Sequence, residues 1–442
     1  MPFSHARMLL AHESPPARAG GRRCDDEAIM PSFLQTIRAL FADRIRLLEQ
    51  VGGGISRIGR TNFGRIDIVL INTPELVPEI LIERVDQFQK GPLLRILARP
   101  ILGDGLLTSE GEMHREHRKL VAPAFAHQRV SKYAAVMTEH ASAAQAAWRE
   151  GERIDIGKEM MRLTLGIVGR TLFDVDLLDQ ADNLGADITR IQDYAVRQLR
   201  VPFQLPMLPG VRAAFARLNE TIYGLIRDRR ASGIDKGDLL SMLLLSKDED
   251  TEEHLTDEQV RDEAMTLFLA GHETTAQAMA WSWYLLAKHP QYFERLRSEG
   301  MPFALQIMKE AMRLYPPAFL LARQALHDTS IGGFAIRKDE LVLIAPWLFH
   351  RDVRFFEDPL RFDPDRFLPE REAKLPRYAY MPFGGGKRIC IGNQFALMEG
   401  QIILATIGQH VRMELATLKP PTVRPALTLR AHDAFLKVHR LN

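Results

Sequence analysis

The chain has 442 residues, 46% of them hydrophobic, and 58 basic against 56 acidic side chains, a net charge of +2. That is enough apolar material for a large core, and so even a balance points to no nucleic acid, membrane surface or acidic partner. Two cysteines, Cys24 and Cys390, exclude a disulfide framework and leave room for a single ligand or nucleophile in a reducing compartment.

In chain order, residues 1–29 are polar and rich in Pro, Gly and Arg, and are expected to form a disordered extension. Asp25, Asp26 and Glu27 fit a transit peptide poorly. Met30 opens an amphipathic helical pattern, "MPSFLQTIRALFADRIRLLEQ". The alternating, β-branched run over 54–75 predicts a hairpin. From about 74 to 310 the periodicity is mainly helical, with breakers at "KGP" (90–92) and "PFQLPMLPG" (202–210). A β-rich zone over 318–346 includes a tight hairpin at "IGGFAI" and a strand at "ELVLIAP". A long irregular stretch over 350–389 follows, and such loops inside a compact domain usually carry function. A helix is predicted from near Gly392 and a strand pair after Pro421. The longest apolar run, 341–349, is far shorter than the roughly 20 residues that span a bilayer, and no secretory signal opens the chain. The expectation is one mainly α domain with small β-sheets over 30–442, monomeric, without a membrane anchor, in the cytoplasm.

Three motifs carry chemistry. "FGGGKRICIG" (383–392) resembles a phosphate loop only superficially, because Arg388 follows Lys387 where Ser or Thr is needed. One cysteine cannot build a zinc site. What remains is a thiolate at the mouth of a helix, where first-turn amides and Arg388 lower its pKa. The second motif is "AGHETT" (270–275), in the middle of a helix predicted over 256–289. Thr256 and Gln259 form a capping box, and Pro290 ends the helix. At about 1.5 Å per residue it is about 50 Å long and crosses the whole domain. Gly271 destabilises its interior by about 1 kcal/mol, and Thr274 is placed to bond back to the Ala270 carbonyl. The third is Glu310 and Arg313, spaced i,i+3 before Pro316–Pro317. Taken singly, each has a reading without chemistry: a buried inert cysteine, a polar kink and, far the commonest for an isolated E-x-x-R, a surface ion pair.

Together and in this order, the motifs make the chain resemble the cytochrome P450 family of haem-thiolate monooxygenases from about residue 31 to the C-terminus. Phe383, Gly386, Arg388, Cys390 and Gly392 match the family's cysteine loop. Ala270, Gly271, Glu273, Thr274 and Thr275 match its long-helix pattern. Glu310, Arg313 and Arg366 of "FDPDRF" match its E-x-x-R and third partner.

The resemblance implies a triangular, mainly α prism with small sheets. Haem b would lie between the long helix and the helix after Cys390, with Cys390 thiolate as the iron's axial ligand. The cofactor-binding residues it implies are Cys390, Arg388, His114, Arg118, Arg323, Phe383, Gly384, Gly392 and Ala270. Arg388, Arg323, His114 and Arg118 would neutralise the propionates, and Phe383 would shield the sulfur. Thr274 and Glu273 would be catalytic, relaying the two protons that dioxygen cleavage consumes. Glu310, Arg313, Arg366 and His350 would be structural.

With no flavin or iron–sulfur segment, electrons are expected from a ferredoxin (or flavodoxin) and its NAD(P)H-dependent reductase, docking near Lys387, Arg115 and Lys119. A lipophilic substrate is expected at 93–107, 187–210, 318–322 and the face around Leu267, Phe268 and Ala270. The motif wording leans towards fatty acids, alkanes or terpenoids. A peroxide-driven peroxygenase, a haem-thiolate isomerase or dehydratase, and a haem-binding sensor are the rival readings. The Glu273–Thr274 pair argues against each.

Overall fold

The computed structural model describes residues 44–63, 66–198, 206–246 and 254–441. The extension expected over 1–29 and the start of the helix expected from Met30 lie outside them. The remainder of that helix is α1, Arg44–Gly53. The hairpin follows as β1 (Ile58–Phe63) and β2 (Ile66–Ile71), paired antiparallel.

After β3 (Phe88–Lys90) the chain is helical: α2 (Pro92–Leu102), α3 (Gly111–Val121) and α4 (His127–Ala147). A short β4 (Arg153–Asp155) leads into α5 (Ile156–Leu172), α6 (Ala181–Gln198), α7 (Pro209–Ser232) and α8 (Leu239–Leu245). Then comes the long helix α9, Asp257–Lys288, 32 residues. Its start is the expected capping box: Gln259 N donates to Thr256 Oγ1 at 3.2 Å, and Thr256 N to Gln259 Oε1 at 2.9 Å. α9 packs on α5, α7, α11 (Met301–Leu314) and α12 (Asn393–His410), so it runs through the main hydrophobic core. Between α9 and α11 lies α10, Phe293–Glu299.

The β-rich zone gives β5 (Leu321–Ala325), β6 (Thr329–Ile331), β7 (Phe334–Ile336) and β8 (Leu341–Ile344). β6 and β7 form the tight hairpin, turned at Gly332 and Gly333 with φ of 54° and 81°. The larger sheet has the order β1-β2-β8-β5-β3. In it Lys90 stands opposite Arg323, a consequence of the antiparallel β3–β5 register.

The strand pair expected after Pro421 is β10 (Thr422–Pro425) with β11 (Leu429–His432). A further sheet, β4-β12-β9, joins β9 (Val411–Leu415) and β12 (Phe435–Arg440) to the distant β4. Sequence reading missed it because β4 has three residues, too few for a period. The architecture is mainly α with small sheets. No helix among the described residues is long and apolar enough to cross a membrane.

Candidate active site

Cys390 lies two residues before Gly392, the N-cap of α12. Its backbone N donates to Phe383 O at 3.0 Å, closing the glycine-rich loop on itself. Gly384 and Gly386 have φ of 71° and 64°, a region that disfavours side chains. A Cβ at Gly386 would also sit 1.9 Å from Leu81 O, so the loop lies directly on the backbone of 79–83. Cys390 keeps an accessible surface although dense protein surrounds it, as a residue on the floor of a concavity does. Burial pushes its thiol pKa up, and the Gly392 amide and Arg118 pull it down. The helix mouth thus acts in the expected direction, with Arg118 rather than Arg388 as the cation that acts on the thiol, but burial outweighs both.

Around this loop the structure gathers Arg118, Arg323, Arg388 and His114, all singled out from sequence, and one residue that was not, Lys90. Arg118 Nη1 donates to Ile389 O at 2.8 Å, beside the cysteine. Arg388 Nη1 donates to Ser109 O at 3.0 Å, and its other terminal nitrogen pairs with Glu110. Lys90 Nζ, buried, donates to Leu106 O at 3.1 Å and Ser109 O at 2.9 Å.

The electrostatics show how crowded these cations are. Burial lowers Lys90 to about 7, with Arg388 and Arg323 adding to the drop. Burial, then Arg388, Lys90 and Arg118, hold His114 at about 3, a neutral ring. Burial and Arg388 bring Arg323 to about 10. Two cations directly opposite in a sheet repel, and Lys90 and Arg323 are so placed. Glu110 is the one carboxylate paired within the cluster among the described residues. A thiol beside several cations that outnumber their acid fits an iron porphyrin with two propionates. Lys90 escaped notice because "KGP" reads as a breaker; only the β3–β5 register brings it to Arg323.

On α9, every residue from Val260 to Leu286 is buried except Leu269, Ala270, Gly271 and Thr274. These four make a window in an otherwise buried helix. Thr274 Oγ1 donates to Ala270 O at 2.8 Å, as expected, and α9 stays helical through this point. Phe268, expected on the open face, turns instead into the core against Phe173 and His272. Leu267 is buried too.

Glu273 is buried and directed elsewhere. Its Oε1 accepts from Thr428 Oγ1 at 2.8 Å and Arg430 Nε at 2.9 Å, and Gln192 bonds its other oxygen. No bond joins it to Thr274 among the described residues. Arg430 also lines an open groove of about 1290 Å³ between α5, α6 and the β10–β11 hairpin. Sequence gave no sign of Gln192, Thr428 or Arg430, which lie far away along the chain.

Glu310 and Arg313 form a fully buried bidentate pair at 2.6 and 2.7 Å. Arg366 stands 3.5 Å from Glu310. Arg313 also donates to the carbonyls of His350 and Pro359, both at 2.6 Å, and of Arg361 at 3.1 Å. His350 Nε2 accepts from Met381 N at 2.9 Å, which carries this network to the edge of the cysteine loop.

A second buried pair ties α3 to α9: His117 Nδ1 lies 2.7 Å from Glu263 Oε1. Burial lowers the pKa of His117, but the attraction of Glu263 wins and leaves it raised. A raised folded-state pKa means the pair stabilises fully below the unfolded value near 6.5 and loses that contribution as pH rises through the folded one. The expected result is that His117→Asn lowers Tm most at acidic pH, with the gap to wild type narrowing as pH rises; a pH series of thermal melts checks it.

The cytochrome P450 family model matches residues 33–438. Cyclooctatin synthase of Streptomyces melanosporofaciens is 37% identical over 382 residues, 81% of this chain and 83% of that one. Cyclooctat-9-en-7-ol 5-monooxygenase of the same organism is 34% identical over 366 residues, 77% and 79% of the two chains. Pentalenene oxygenase of Streptomyces avermitilis is 32% identical over 390 residues, 83% and 86%.

Proposed function

The chain belongs to the cytochrome P450 family, and from that premise we propose that Cys390 is its axial thiolate, that Thr274 and Glu273 move its protons, and that its substrate is a cyclic terpenoid. Membership makes the protein a haem b monooxygenase with a cysteine thiolate ligand, using dioxygen, electrons from a redox partner and a lipophilic substrate. The match over 33–438 supports taking residues 30–442 as one haem domain. When bound, the thiolate-ligated haem supplies the reductive cleavage of dioxygen that leaves one oxygen atom for the substrate.

The chain's own residues do the rest. The crowded cluster of cations around a single paired acid is the observation that carries the site. Arg118, Arg323, Arg388 and Lys90 meet the propionates by charge, and His114 by hydrogen bonding as a neutral ring. Gly384 lets the loop turn, Gly392 points its amide at the sulfur, and Phe383 shields it. Ala270 keeps the window on α9 low enough for a flat ring. Thr274 presents a hydroxyl there, and Glu273 reaches solvent through Arg430 and its groove. A proton taken up at the groove passes through Glu273 to Thr274 when the Arg430 bond opens.

The names of the similar proteins, with the apolar Leu269 and Ala270 at the window, favour a cyclic terpenoid hydrocarbon or its alcohol over a fatty acid. Titrating the ferric protein while following its spin-state band tests this. Cyclic terpenoids are expected to shift it at concentrations about tenfold below a fatty acid of equal carbon count. The reverse order would remove the terpenoid assignment.

For electrons we assign a cytoplasmic ferredoxin (or flavodoxin) with an NAD(P)H-dependent reductase. Lys387 in the cysteine loop is exposed, as are Arg115 and Lys119 on α3, the helix whose Arg118 bonds that loop. Lys387 makes a 3.7 Å pair with the exposed Asp86, and Arg115 pairs with Glu112 at 2.9 Å. Reversing all three charges is expected to slow reduction by the partner about tenfold at low salt and to flatten its salt dependence. Stopped-flow reduction at several ionic strengths decides, and unchanged rates would move the docking face elsewhere.

A further inference from the structure

Glu399 on α12 is completely buried, and neither carboxylate oxygen has a hydrogen-bond partner of normal geometry. Other buried glutamates face cations: Glu263 faces His117 at 2.7 Å, Glu273 faces Arg430 at 2.9 Å, and Glu310 faces Arg313 at 2.6 Å. Glu399 faces none. No charged group from α4, α9, α10 or α11, the helices packed on α12, acts on it. Its neighbours one turn away on the same helix, Phe395, Ile402 and Ile403, are all buried members of the main hydrophobic core.

An unpaired carboxylate in such a place neutralises rather than stay charged. Burial holds the Glu399 carboxyl well above the usual carboxylate range, and the only group acting against this is the Thr275 hydroxyl. Thr275 is the buried neighbour of Thr274. Its hydroxyl is loosely held, donating to Gly271 O at 3.3 Å, whereas Thr274 makes the corresponding bond at 2.8 Å. A neutral acid has one O–H to place, and Thr275 Oγ1 is the acceptor at hand.

We propose that Glu399 is kept as a neutral carboxylic acid that donates its O–H to Thr275, and that this bond fixes the turn of α9 presenting Thr274 at the window. Glu399 is then a positioning residue, acting across the packed interface of α12 and α9. This role rests on Thr274 being the proton-relay hydroxyl. The bond itself does not.

Infrared difference spectra of the haem-loaded ferric protein, wild type minus Glu399→Gln, test the bond without turnover. At neutral pH the wild type is expected to show the carbonyl stretch of a protonated carboxylic acid. Thr275→Val should move that band to higher frequency as its acceptor is lost. A carboxylate band in its place, or an acid band that Thr275→Val leaves unmoved, overturns the proposal. In coupled turnover, Glu399→Gln keeps an N–H donor and is expected to hold the yield of product per reductant within about twofold. Glu399→Met lacks one and is expected to lose roughly tenfold to peroxide and water. A Met variant that couples like wild type would also overturn it. Thr274→Ala measured alongside separates the two ideas: unchanged coupling there refutes the relay assignment while the infrared result still stands.

Discussion

Replacing Cys390 with serine is expected to leave a protein that still binds haem but no longer gives the strongly red-shifted carbon-monoxide band of a thiolate-ligated iron. Turnover should fall by about a thousandfold, about 4 kcal/mol of barrier. The separation of the two effects follows from the loop. The bond from the residue 390 amide to Phe383 O and the positive φ at Gly384 and Gly386 are backbone features that serine keeps. Lys90, Arg118, Arg323 and Arg388, the residues proposed to hold the propionates, would remain. Only the soft, electron-rich sulfur goes, and a hydroxyl does not replace it as an anionic ligand near neutral pH. The reduced, carbon-monoxide-treated spectrum reads ligation directly. A serine variant that kept the band would mean that another residue ligates the iron, and no other cysteine lies among the described residues.

Glu310→Ala is expected to be the most destabilising single substitution outside the cofactor's immediate contacts. It leaves Arg313, fully buried, without its anion. Breaking a buried pair from one side costs about 3–5 kcal/mol. The Asp363 amide, which donates to Glu310 Oε1 at 2.9 Å, is orphaned as well, at about 1–3 kcal/mol. Against a typical total stability of about 5–15 kcal/mol, that removes a large share. The damage should also travel, because Arg313 holds the carbonyl of His350, and His350 holds Met381 just before the cysteine loop. Guanidinium unfolding followed by both far-UV dichroism and the Soret band is expected to show a much lower midpoint and early haem loss. A midpoint within about 1 kcal/mol of wild type would show the network to be dispensable.

Much of this was legible in the residues themselves. The capping box of Thr256 and Gln259, the turn back from Thr274 to Ala270, and the glycines flanking Cys390 are local, and local chemistry can be read from adjacent letters. The illegible parts depend on pairings across the chain. Lys90 joins the cation cluster only through the β3–β5 register. Glu273 was recognised, but its partners Gln192, Thr428 and Arg430 come from α6 and the β10–β11 hairpin. Helical spacing placed Phe268 beside Ala270 without saying which side of α9 stays open; packing against Phe173 decides that. "FALMEGQ" likewise gives no sign that Glu399 alone among these buried acids lacks a counter-charge.

The opposed Lys90 and Arg323, with Arg388 and Arg118 close by, bear on how the molecule is made in a cell. Repulsion among cations drawn together in a partly buried site works against the last stage of chain closure. Haem propionates held there would relieve it, so that cofactor capture would become part of the folding reaction and add to stability by mass action. The yield of native protein from an expression host should therefore track porphyrin supply, and a culture starved of it should accumulate chains in which the β3–β5 edge is the first to be cut by protease.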